Sequence, residues 1–175
     1  MRRLLTSSAG FSLVEMMTVL MVVGVLMAIA APAIQNHIAL QEIRGTAQEV
    51  VQTLRDARDE ALNEGVPRYV LFDPAVSPRT YRVYRYTGGA WVAETQAEPF
   101  PSSVTFADAD VAFPQLSNTP VAGATVPDNA AYFDTRGKYP FQAGAPSSYD
   151  LTLHGGLGKV VVLTVHRSTG QVTGL

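Results

Sequence analysis

The sequence predicts an α+β protein: a long N-terminal helix, transmembrane and then amphipathic, packed on an antiparallel β-rich globular domain. Three observations predict it. Between Met16 and Ile34 nineteen residues carry no charge. Apolar residues then recur at spacings of three and four as far as Ala61, which is the stripe of a helix with one buried face. After Gly65 the period shifts towards two, the mark of half-buried strands.

The charge-free run spans about 28 Å as a helix, close to the hydrocarbon thickness of a bilayer, so it can cross once. Arg2 and Arg3 hold the preceding residues on the cytoplasmic side, which sends the C-terminal domain outward. Pro32 sits near the outer end of the run, where it removes one helix donor and invites a kink. Beyond it, Ile43, Ala47, Val50, Leu54, Ala57 and Ala61 form the apolar stripe, with Glu42, Glu49, Asp56, Asp59 and Glu60 mostly off it. Arg55 and Asp59 are four apart and placed to form a surface pair. Gly65 followed by Pro67 ends the helix. From Phe11 to Glu64 it would run about 80 Å if continuous. The expected divisions are residues 1–10, 11–34, 35–64 and 65–175.

In the outer part, Val66–Phe72, Arg79–Thr87 and Ala90–Ala93 read as three strands of an antiparallel meander, with Gly88-Gly89 as the second turn. Residues 95–130 hold five of the eleven prolines and read as a long irregular region with one or two short strands, its apolar pieces at Val104–Phe106 and Val111–Phe113. Later strands are expected at Ala131–Phe133, Tyr149–His154, Lys159–His166 and Gln171–Thr173. Val160-Val161-Val162-Leu163 reads as a strongly buried strand centre.

The N-terminus carries the sharpest signal. MRRLLTSSAG is basic and polar and stops at Gly10, before the apolar run, and Glu15 places a carboxylate where the chain should enter lipid. A carboxylate there costs about 2.5–3.5 kcal/mol on insertion scales, so it needs a partner. Cleavage after Gly10 would supply one, the amino group of Phe11, four residues away on a helix. Ala28-Ile29-Ala30 also has the form of an ordinary signal-peptidase site, and cleavage after Ala30 would release a soluble exported domain. That alternative leaves Glu15 and Gly10 without a role.

Gly10-Phe11-Ser12-Leu13-Val14-Glu15 followed by about twenty apolar residues resembles the prepilin cleavage and methylation motif of type IV pilins and type II secretion pseudopilins. The resemblance implies that a prepilin peptidase cuts after Gly10 and methylates Phe11. It implies too that Glu15 recruits and registers subunits. Leu54 to Leu62 leading into Val70-Leu71-Phe72, with Phe133-Asp134-Thr135-Arg136-Gly137 and a last strand around Gly170-Gln171-Val172, is similar to the GspH/FimT-like minor pseudopilins. Implied partners are other pilin or pseudopilin subunits, the prepilin peptidase and an inner-membrane assembly platform. The implied place is the inner membrane, single-pass, with assembly into a periplasmic or surface filament.

Little in the chain points to catalysis or a cofactor. There is no cysteine, and the three histidines stand outside any HExxH, GxSxG or Walker pattern, so neither a catalytic nor a metal site is expected. His154 and His166 could face each other across a hairpin, with Gly155-Gly156-Leu157-Gly158 as its turn. Tyr81-Arg82-Val83-Tyr84-Arg85-Tyr86 interleaves aromatic and basic groups as a single-strand nucleic-acid binder does. On a strand, however, Arg82, Tyr84 and Tyr86 share one face while Tyr81, Val83 and Arg85 share the other. The formal charge is −2, and −4 without Arg2 and Arg3, which does not favour a polyanion. Some FimT-like pilins implicated in DNA uptake carry arginine after the glycine of the last turn. Here Gly170 is followed by Gln171-Val172-Thr173, so nucleic acid is not an expected partner.

Overall fold

The computed structural model describes residues 12–116, 125–139 and 146–174. A single helix, α1, runs Leu13–Glu64. It is followed by β1 (Arg68–Asp73), β2 (Thr80–Thr87), β3 (Ala90–Ala93), β4 (Glu98–Pro99), β5 (Ala130–Phe133), β6 (Ser148–His154), β7 (Val160–His166) and β8 (Val172–Gly174). The chain divides into two compact units, Met1–Ile38 and Ala39–Leu175. The α+β class predicted from the sequence is the class observed.

In the second unit, α1 contributes one buried face. Ile43, Ala47, Val50, Leu54, Ala57 and Ala61 are all buried, as their spacing predicts, and Thr46 and Val51 widen the stripe. Gly65 stops the helix in the left-handed region, at φ 65°, where the missing Cβ removes the usual penalty. The Arg55–Asp59 pair expected from the spacing does not form. Arg55 instead donates to the carbonyl of Val172 at 3.0 Å, while Asp59 accepts from Arg58 at 2.9 Å. Both arginines are drawn to the C-terminal turn, since Arg58 Nε also donates to the Thr169 carbonyl.

Two antiparallel sheets share one core with that face. The first has the order β3-β2-β1-β5, with β4 also paired to β2; the second is β6-β7-β8. The β2–β3 hairpin closes on Gly88 and Gly89, at φ 61° and 87°, the positive pair that a two-residue turn of this hand requires. In β1 and β2 successive side chains take opposite faces. Val70, Phe72, Tyr81 and Val83 enter the core, and the Tyr81 hydroxyl reaches Glu49 of α1. Tyr69, Leu71, Arg82 and Tyr84 take the opposite face, where Tyr69 and Tyr84 stack at 4.7 Å and Trp91 meets Tyr69 edge-on.

The proline-rich middle is irregular as expected and holds the short strand β4, but its two apolar pieces are not strands. Val104, Phe106, Val111 and Phe113 are buried, but their segments form isolated bridges to β6 rather than strands, at Thr105–His154 and Val111–Leu151. Prolines 101 and 114 remove donors that a ladder needs, so the segment anchors its side chains and bonds sparingly. The expected first strand starts late for a related reason, because Pro67 cannot donate, and β1 begins at Arg68.

The buried centre expected at Val160–Leu163 is corrected. Val160 and Val162 are 52% and 45% exposed, whereas Leu163 and Val165 are fully buried. A run of valines on a strand still alternates, and β8 pairs only Leu163, Thr164 and Val165 of β7. The two histidines do not face each other either. His154 pairs with Val160 and His166 with Ser148, at opposite ends of the β6–β7 hairpin.

Two turns meet at Arg58. In the first, Asp134 Oδ1 accepts the Arg136 and Lys138 amides at 2.8 and 2.9 Å. The second, before β8, holds Gly170 at φ 64°. A Cβ built on Gly170 would collide with the backbone oxygen of Gly137 and lie 2.9 Å from Arg58 Nε. That contact accounts physically for Gly137 and Gly170, which the sequence marks only as turn glycines.

Candidate functional site

The N-terminal segment of α1 is the strongest candidate, and its character follows from what surrounds each side chain. Thirteen large apolar residues from Leu13 to Ile29 are between 38% and 75% exposed. None of the residues in the membrane-length window of this helix is buried within the chain. A stripe explains a soluble helix; apolar character all round requires lipid or neighbouring helices. Small residues lie along it, and a Cβ on Gly24 would meet nothing within 4 Å, so a second helix could approach closely there.

Glu15 stands in the first turn of this helix, where the free backbone amides favour an acid. It makes no hydrogen bond or ion pair among the described residues. One hydroxyl a turn further on, Thr18 Oγ1, is already bonded to the Val14 carbonyl at 2.9 Å. Gly10 and Phe11 lie outside the described residues, and with them the expected cleavage site and the Phe11 amine. Pro32 is accommodated within α1, and its carbonyl accepts the Asn36 side-chain amide at 3.0 Å.

The other residues singled out by sequence are dispersed. Arg79 donates through Nε to the Phe106 carbonyl, Arg82 lies in a recess of the sheet face away from α1, and Arg85 is exposed on the opposite face. They form no common basic surface. His154 Nε2 lies 3.1 Å from Asp110 Oδ1 at the surface, and among the described residues no third titratable side chain is hydrogen-bonded to either group to make a base and its orienter.

Sequence reasoning missed one cluster. Arg68, 1% exposed, is ringed by Glu60, Glu64 and Glu94 at 3.3, 2.8 and 2.9 Å. Its side chain ties the end of α1 to the segment after β3. The hydrogen bond from Arg68 holds the Glu94 carboxyl below its ordinary value, whereas burial pushes Glu60 up. The one available signal was Glu64 standing four residues before Arg68, and the helix end between them hid the pairing.

A long apolar N-terminal helix followed by a domain of antiparallel sheets is a pilin-like architecture. Residues 5–31 match the family model described as the prokaryotic N-terminal methylation motif. The match is confined to that segment, which is type IV pilin-like and of the kind processed by prepilin peptidase. The proteins that carry such a motif are structural subunits rather than enzymes. No solved structure matches the chain.

Proposed function

We propose that this chain is a minor pseudopilin or pilin-like subunit of the GspH/FimT-like type, built into a type II secretion pseudopilus or a type IV pilus. One observation carries the reading: the methylation motif coincides with a helix whose apolar residues are exposed all round and whose first turn holds Glu15. Residues 1–10 are a leader removed by prepilin peptidase after Gly10, and Phe11 becomes the methylated N-terminus. Residues 11–34 cross the inner membrane once, with the domain outside the cytoplasm, and then pack against other pilin subunits on an assembly platform. Glu15 pairs with the Phe11 amine of the same or a neighbouring subunit, which sets the register. Pro32 marks the outer end of the spanning part, and residues 35–64 carry the domain of residues 65–175.

The test is mass spectrometry of membrane-extracted protein with crosslinking of the Glu15→Ala variant. The expected N-terminus is a methylated Phe11, and Glu15→Ala keeps cleavage and insertion but loses crosslinks to neighbouring subunits. A mature chain beginning at Ala31 would instead make this a soluble exported domain, and undiminished crosslinking would remove Glu15 from assembly.

A further inference from the structure

The sheet face turned away from α1 holds a concave site of about 410 Å³. Its floor is Thr80, Arg82 and Tyr84 of β2 with Asp73 of β1, and one wall is the connecting loop at Ser77 and Pro78. The loop is held by Asp73, whose Oδ1 accepts the Ala75 amide at 2.9 Å. The size is that of a small-ligand site.

The chemistry of the lining is specific. Arg82 Nε is buried and has no hydrogen-bond partner among the described residues. The rest of the guanidinium likewise makes no hydrogen bond or ion pair among the described residues and lines the recess, so an acceptor brought to it is favoured. A guanidinium meets a planar carboxylate best, through two parallel bonds. The Ser77, Thr80 and Tyr84 hydroxyls make no hydrogen bond among the described residues either, and each can both donate and accept. The Tyr84 ring is held in plane by its stack on Tyr69 at 4.7 Å.

Two ligand classes fit poorly. β2 is paired to β1 on one side and to β3 and β4 on the other, so a peptide finds no free edge for strand addition. A phosphate gathers several cations or a helix N-terminus; here one guanidinium is accompanied by the carboxylate of Asp73. A singly charged carboxylate is repelled less by Asp73 than a phosphate is, and one carrying several hydroxyls on a saturated ring matches one guanidinium, three hydroxyls and one fixed aromatic ring.

We propose that this recess binds a uronic-acid sugar, Arg82 pairing with its carboxylate and Ser77, Thr80 and Tyr84 meeting its hydroxyls. The site is separate from the N-terminal helix and rests on none of its features.

The experiment uses the full chain in a detergent without a sugar headgroup, titrated with glucuronate, glucose, acetate and inorganic phosphate and followed by saturation-transfer NMR. Glucuronate is expected to bind with a Kd of about 1 mM, the affinity of a single-ring ligand held by one good ion pair. Glucose, acetate and phosphate each bind about tenfold more weakly, because each lacks either the charge or the hydroxyls, or carries too much charge. Arg82→Gln lowers glucuronate affinity about tenfold, and Arg82→Lys less, since an ammonium cannot bond in two parallel lines. Ser77→Ala, on the exposed loop, weakens it about threefold and decides the matter where Arg82→Gln lowers the unfolding midpoint. No saturable glucuronate signal, unchanged affinity in these variants, or equal binding of acetate or phosphate would overturn the assignment.

Discussion

Three glycines share one backbone conformation and differ in what surrounds them, which separates conformational strain from steric contact. Gly65, Gly137 and Gly170 have φ of 65°, 65° and 64°. A Cβ at Gly65 would meet nothing within 4 Å; at Gly137 it would lie 2.7 Å from the Leu62 side chain; at Gly170 it would strike the Gly137 backbone oxygen. Alanine in the left-handed region costs about 1–2 kcal/mol, offset by about 0.4–1 kcal/mol from the stiffer unfolded chain. Gly65→Ala should therefore cost about 1 kcal/mol. Leu62 is 41% exposed and can swing aside, so Gly137→Ala should cost about 1–2 kcal/mol. The oxygen facing Gly170 belongs to the turn braced by Asp134 and cannot retreat without breaking it. Overpacking of that kind adds about 1–3 kcal/mol, giving about 3 kcal/mol for Gly170→Ala. Trp91 is the only tryptophan and packs against Tyr69 and Tyr86 at 4.7 and 5.2 Å, so its fluorescence reports urea unfolding of the domain. If Gly170→Ala falls within about 0.5 kcal/mol of Gly65→Ala, the close meeting of the two turns is wrong.

Arg68→Ala should lower stability by about 2–3 kcal/mol, below the usual figure for breaking a buried pair, because Glu60 and Glu64 are half exposed and can rehydrate. With its folded pKa held below the ordinary 4.5 by Arg68, Glu94 contributes stability that is complete above about 4.5 and lost as pH falls below it. Glu60, raised by burial, acts in the opposite sense and blunts the slope. Urea midpoints between pH 3 and 6 should therefore depend on pH less in Arg68→Ala than in the parent; an equal slope would remove Arg68 from the acid response. A chain begun at Ile38 should be soluble and fold cooperatively with mixed helix and sheet by circular dichroism, since every buried residue of α1 lies at Ile43 or later. An aggregated product would mean that the core needs the membrane segment.

The elements legible in the sequence were those set by a single periodicity. The stripe from Ile43 to Ala61, the stop at Gly65, the Gly88-Gly89 hairpin and the alternation in β2 each depend on neighbours close in the chain, so local spacing was enough. Where the chain reaches across itself, spacing failed. Arg55 has an acid four residues on, yet it bonds a carbonyl from β8, a residue it meets only once the fold is made. Val160 and Val162 look like core because valine is apolar, but on β7 they take the face opposite Leu163 and Val165. Arg82 reads as part of a basic-aromatic string, and only the β1–β2 pairing reveals the recess it shares with Asp73. At the N-terminus the order was reversed. The methylation motif over residues 5–31 has a chemical meaning, and it is legible without help from the fold.

Folding and assembly draw on different parts of one helix. From Ile43 to Ala61, α1 supplies the buried face on which both sheets close, so an apolar-to-polar change there removes core and lowers stability. From Leu13 to Ile38 no side chain is buried in the chain itself, so changes there leave the domain core intact and act on whatever surrounds the helix in lipid or filament. A carboxylate is tolerated in the second setting and excluded from the first. In the core it would need a partner inside the domain, as Glu94 has in Arg68, whereas Glu15 stands at the start of the helix with no such partner among the described residues. The same separation explains why the apolar run is not trimmed to an amphipathic stripe. A stripe serves one partner on one face, while the helix of a membrane-anchored pilin-like protein is surrounded by lipid or other helices and is apolar all round.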